Sequence, residues 1–181
     1  MKKELQAITE FYGDRKAERS GVPLINHIHE GLTVLSEISA WSASYSVYCL
    51  HPIIQANEDF IDGLNVFKRI GVSPKVAALT CEYRSVANAW LSDKVDDNMM
   101  LMGQPKLSPS DIVNNALIAD KVQNRADFEL YHAETHPRAR QLDLYFRVWL
   151  DALGVSEERY GQLVVAMKTR VDWRKTNGMK L

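Results

Sequence analysis

Apolar residues along this chain recur every three or four positions and almost nowhere alternate, and residues that interrupt such a pattern are few, nine glycines and six prolines in 181 residues. A spacing of three and four lines one face of a helix, whereas a half-buried strand needs a period of two. The pattern predicts an all-α fold. Its helices fall near residues 3–17, 26–39, 42–50, 58–69, 74–92, 109–129, 137–153 and 156–174. The clearest starts are Ser73-Pro74, Ser108-Pro109 and Ser156-Glu157-Glu158, each a hydroxyl N-cap followed by proline or acid in the first turn. Gly71 and Gly154 mark the clearest stops.

The stretch 93–107, with Asp-Lys-Val-Asp-Asp-Asn and then Gly103, Gln104 and Pro105, reads as a surface loop or lid. Leu142, Tyr145, Val148 and Trp149, followed by Leu163, Val164 and Met167, suit a C-terminal helical hairpin packed on the core, and the same stripes would also serve a homodimer face. The tail 173–181 is expected to fray. No repeat appears, and a length of 181 residues with 46% hydrophobic side chains suits one domain with a substantial core.

Charge narrows the partners. Lys and Arg number 22 against 23 Asp and Glu, a net charge of −1, which gives no broad attraction to a nucleic acid polymer or an anionic membrane. No apolar run approaches the roughly 20 residues that span a bilayer, and Met-Lys-Lys-Glu-Leu leads into no signal-type segment, so a cytoplasmic protein is expected. Cys49 and Cys81 sit in apolar stretches without a CxxC partner, the setting of structural thiols.

Three polar residues break the apolar runs: His27 in Leu-Ile-Asn-His-Ile, His51 after Val-Tyr-Cys-Leu, and Asp120 after Ala-Leu-Ile-Ala. A carboxylate emerging from a core-facing run needs a metal, a cation or several hydrogen-bond donors. A salt bridge to Lys121 would meet that need without any function. Two histidines and one carboxylate from three helices would also make a facial triad for a divalent ion, with open positions for water and substrate. On the helix of Asp120, Asn124 lies one turn on, while Lys121 and Arg125 form an adjacent i,i+4 pair that can face a phosphate or simply a solvated edge. Arg15, Lys16 and Arg19 precede the turn at Gly21 and can supply further anion contacts. Glu82, Tyr83, Arg84 and Asn88 place polar groups on an otherwise apolar helix, where Arg84 can clamp a phosphate and Tyr83 can stack on a base.

These residues resemble the HD-domain metal-dependent phosphohydrolases, specifically the hydrolase domain of RelA/SpoT proteins and its small stand-alone relatives. Ser20 to His27, Ser-Gly-Val-Pro-Leu-Ile-Asn-His, is similar to the family's S/T-G-x-P-Y-I-x-H element, which implies His27 as first ligand and His29 as its second-choice neighbour. Tyr48-Cys49-Leu50-His51 aligns with the lead-in to HDxxED, Gly71 to Ala77 resembles F-G-x-E-V, and Ile118 to Asn124 resembles L-A-D-K/R-L-x-N. The likeness runs from about Arg15 to Asp127. It departs at the centre, where Pro52 stands for the metal-binding aspartate, and Gln55 and Ala56 for the catalytic Glu-Asp pair.

The resemblance implies a single HD-type helical domain of about eight helices and a divalent ion, manganese first, on His27, His51 and Asp120. The implied activity is hydrolysis of a nucleotide such as a guanosine tetraphosphate alarmone. Such chemistry needs a carboxylate to orient or deprotonate water. Gln55 can bond water but cannot take its proton, so Glu58 and Asp59 are the acids that can stand in. Arg19, Tyr83, Arg84, Lys121, Asn124 and Arg125 are the expected substrate contacts. The alternatives are an inactive protein that binds or sequesters a nucleotide or other phosphorylated small molecule, and a helical interaction protein that holds no metal.

Overall fold

In the computed structural model, which describes residues 1–18 and 20–176 and side chains as far as Thr169, the periodic segments form eight α-helices with no strand among the described residues. They are α1 (Lys2–Tyr12), α2 (Ile25–Glu37), α3 (Ser42–Leu50), α4 (Phe60–Arg69), α5 (Pro74–Ala89), α6 (Asp111–Tyr131), α7 (Ala139–Ala152) and α8 (Glu157–Thr176). Local chemistry sets several ends. Ser73 Oγ accepts the Val76 amide at 3.3 Å with Pro74 opening α5, and Ser156 Oγ accepts the Arg159 amide at 3.2 Å. Gly71 and Gly154 follow α4 and α7 at φ 66° and 74°, a left-handed conformation that costs glycine nothing.

Several boundaries differ from the periodicity. α1 stops at Tyr12 rather than reaching 17, because Arg15 folds back and donates to the carbonyls of Phe11 and Tyr12, the acceptors a helix end leaves free. The chain then returns to α2 through an antiparallel bridge between Lys16 and Pro23. Residues His51–Ile54 form a 3-10 turn, and α4 starts only at Phe60. α5 ends at Ala89 rather than 92. Ser108 does not cap α6 directly. Its hydroxyl accepts the Ser110 amide at 2.8 Å and donates to Glu82, so the helix begins at Asp111.

The stretch 93–107, expected as a surface loop or lid, has local structure of its own. It overlaps a 3-10 turn at Ser92–Lys94, carries a bridge between Val95 and Leu101, and buries Val95. Arg138 donates to the Ser92 carbonyl at 2.8 Å and Gln141 to Asp97 at 2.7 Å, which ties the segment to α7. α8 runs to Thr176, and residues 177–181 of the tail expected to fray lie outside the described residues.

α6 is the axis of the fold, packing against α2, α3, α5, α7 and α8. Val113, Ala116, Leu117, Ala119 and Val122 make it apolar on the sides that meet these helices. The C-terminal stripes bury Trp149 and Leu150 of α7 and Leu163 of α8 in the common core. Cys49 is buried and Cys81 half-buried, both as free thiols, and burial pushes the Cys49 thiol up to about 12. Among the described residues no helix is long and apolar enough to cross a membrane.

Candidate metal centre

Asp120 sits in the middle of the most enclosed helix, facing α2 and the start of the 3-10 turn that follows α3. Its Oδ1 lies 3.5 Å from His27 Nε2 and 3.6 Å from His51 Nε2, and the two imidazole nitrogens are 3.5 Å apart. All three side chains are largely shielded, His27 the least at 16% exposed. The residues that interrupted the apolar pattern at three distant points of the sequence thus meet at one point.

Hydrogen bonds decide what each atom offers. His51 Nδ1 is 2.7 Å from the Tyr48 carbonyl oxygen, which can only accept, so Nδ1 carries the proton and Nε2 presents a lone pair. Burial pushes this imidazole down to about 3, with the Asp120 carboxylate opposing, so the ring is neutral at ordinary pH. His27 Nδ1 lies 2.5 Å from Gln123 Oε1, and Gln123 Nε2 donates to Glu30 at 2.9 Å. On Asp120, Oδ2 is 2.9 Å from the Lys121 ammonium and Oδ1 accepts from Asn124 at 2.9 Å. Burial raises the Asp120 carboxyl, but Lys121 and the two histidines outweigh it and hold the group well below the usual carboxylate range.

The donor set therefore consists of the His51 lone pair, the Nε2 atom of His27 and one carboxylate oxygen, aimed at each other. With His27 in the tautomer protonated on Nδ1, three lone pairs meet here, and a cation between them relieves their repulsion. Atoms about 3.5 Å apart can share a centre roughly 2.0–2.1 Å from each, the distance nitrogen and oxygen ligands keep from zinc-sized ions. The residues fit a divalent ion, and a three-residue set leaves open positions. The salt bridge to Lys121 is present as well, on the other carboxylate oxygen, and leaves Oδ1 facing the histidines.

A cavity of about 600 Å³ opens over these atoms. Among the expected contacts, Tyr83, Gln55, Asp59, Lys121 and Asn124 line it, as does Arg15. Tyr83 is buried, its ring centroid 4.7 Å from that of His51. The Gln55 amide donates to Asn88, which in turn donates to the Gln55 carbonyl at 3.3 Å. Other expected residues are directed elsewhere. Arg125 is off the lining: it forks onto Glu157 at 2.9 and 2.7 Å, bonds Glu129 at 2.9 Å and lies over the Tyr160 ring. Five residues on from Asp120 is about 140° round a helix, which explains the divergence. Arg84 bonds Asn57 and covers the Phe60 ring, and Glu58 is exposed, both away from the cavity. Arg19 lies outside the described residues.

The residues that hold the histidines were missed by the sequence reading. A Cβ on Gly31 would fall 2.0 Å from the Tyr48 hydroxyl oxygen. Bare, that glycine lets Tyr48 lie across α2, where its hydroxyl donates to the His27 carbonyl at 2.8 Å. A glycine one turn after a candidate ligand was the available signal. Gln123, one turn after Asp120 on α6, was the other. Compared with models of protein families, with curated proteins and with solved structures, the chain matches none.

Proposed function

We propose that this chain is a cytoplasmic, HD-type phosphohydrolase-like protein that takes a nucleotide, such as a guanosine tetraphosphate, into the cavity above a divalent ion on His27, His51 and Asp120. The observation that carries the reading is the convergence of two imidazole nitrogens and one carboxylate oxygen within 3.6 Å at the floor of that cavity. When bound there, a divalent ion supplies charge to polarise a phosphoryl oxygen and to make water nucleophilic at neutral pH. The chain's own residues do the rest. Lys121 and Asn124 hold the Asp120 carboxylate in place, Arg15 offers a guanidinium at the cavity wall, and Asp59 is the stand-in acid that lines it.

Purified, untagged protein should carry close to one equivalent of metal, which His51→Ala and Asp120→Ala lose. With manganese it should release phosphate from a guanine nucleotide, and Asp59→Asn should slow release by about 10²–10⁴-fold if Asp59 accepts the proton. Metal-free wild type that releases nothing would end the reading. A second reading, a nucleotide-binding protein without turnover, is favoured by Gln55, an amide held by Asn88 where the resembling family has a carboxylate. Metal with nucleotide-dependent thermal stabilisation and no release would select it.

A further inference from the structure

The two imidazoles present the same nitrogen to Asp120 for different reasons. His51 Nδ1 bonds a backbone carbonyl, which no substitution removes, whereas His27 Nδ1 bonds a side chain, Gln123. An amide can turn either its oxygen or its nitrogen to a neighbour, so Gln123 alone does not determine which nitrogen of His27 carries the proton. Glu30 does. Its carboxylate accepts from Gln123 Nε2 at 2.9 Å, which leaves Oε1 facing His27 and requires the proton on Nδ1. Gln123 is 1% exposed, so solvent does not compete for either end of the amide.

We propose that Gln123, oriented by Glu30, is a positioning residue that fixes His27 in the tautomer whose Nε2 can ligate a metal. This rests on the metal reading above. Partners of this kind orient the ring and raise ligand basicity, and losing one typically costs 10–100-fold in metal affinity. Glu30 contributes at one remove: it keeps the amide from reversing.

The test uses the whole 181-residue chain, untagged, and two readouts. Cobalt titration against a chromophoric chelator gives affinity and a ligand-field spectrum. A long-range proton–nitrogen NMR spectrum of the metal-free protein reports which ring nitrogen of each histidine carries the proton. Wild type should bind one cobalt and show protonated Nδ1 on His27 and His51. Gln123→Leu should weaken cobalt binding 10–100-fold and put His27 into mixed tautomers while His51 is unchanged. Glu30→Gln should weaken binding several-fold, and it decides the matter if the leucine variant fails to fold. The paired exchange of Glu30→Gln with Gln123→Glu keeps an oxygen facing His27 and an amide donor behind it, and should return affinity to within a few-fold of wild type. Wild type that binds no cobalt overturns the metal reading and this proposal together. Wild-type binding with unchanged affinity and tautomer in Gln123→Leu, or in Glu30→Gln where only that variant folds, overturns this proposal alone.

Discussion

At the scale of single residues, the centre depends on one missing methyl group. Gly31 lies inside α2, where alanine is the better helix former by about 1 kcal/mol. Tyr48 is fully buried, so its ring cannot swing away from a new Cβ 2.0 Å from its hydroxyl oxygen. Steric overlap should outweigh propensity, and Gly31→Ala is expected to destabilise the protein by about 1–3 kcal/mol, read from urea unfolding. A variant as stable as wild type or more so would show that the ring has room to move. The three candidate ligands were legible in the sequence because each is a polar group inside an apolar run. Tyr48, Glu30 and Gln123 were not, because the hydrogen bonds that give them meaning join α3 to α2 and α2 to α6, far apart in the chain.

Among the elements, α8 is held to α6 by Arg125, which the sequence read as a phosphate contact or a solvated edge. Arg125 is 2% exposed, forks onto Glu157 and stacks over Tyr160, whose hydroxyl donates to Glu129 at 2.6 Å. Glu157 is 59% exposed, so water screens part of the Coulomb attraction, and the cost of removal comes mainly from packing and the buried guanidinium's bonds. Arg125→Ala should lower stability by about 2–4 kcal/mol, and Arg125→Lys by a smaller amount, because an ammonium cannot make the bidentate contact. Metal content and nucleotide affinity should stay at the wild-type level in the lysine variant, and a selective loss of nucleotide affinity would return Arg125 to the cleft. Helices with strong end signals, α5 and α8, started where Ser73 and Ser156 said they would. The start signalled at Ser108 was displaced to Asp111, because the Ser108 hydroxyl is taken by the Ser110 amide and by Glu82 of α5, a contact 26 residues away in the chain.

For the molecule as a whole, the centre and the core are the same place, since α6 carries Asp120 and Lys121 between Ala119 and Val122 at the junction of five other helices. Lys121 is enclosed with its ammonium on Asp120 and over the rings of Tyr145 and Trp149, and Asp120 more than offsets the burial that would lower its pKa. An ion that ties α2, the turn after α3 and α6 through three ligands binds the folded chain and not the unfolded one. At 100 times its dissociation constant it adds about 2.7 kcal/mol. For a chain of this length that is roughly 5–10 °C in Tm. Stripping metal with a chelator should lower Tm by that amount, re-addition should restore it, and the shift should grow with the logarithm of metal concentration. In Asp120→Asn the metal dependence should vanish and the metal-free protein should itself be less stable by about 3–5 kcal/mol, because Lys121 loses its buried counter-charge. Asp120→Asn combined with Lys121→Met removes that unpaired charge, so it should recover much of the stability while remaining blind to metal. Recovery of stability together with a persistent metal shift would place the ion somewhere other than on Asp120.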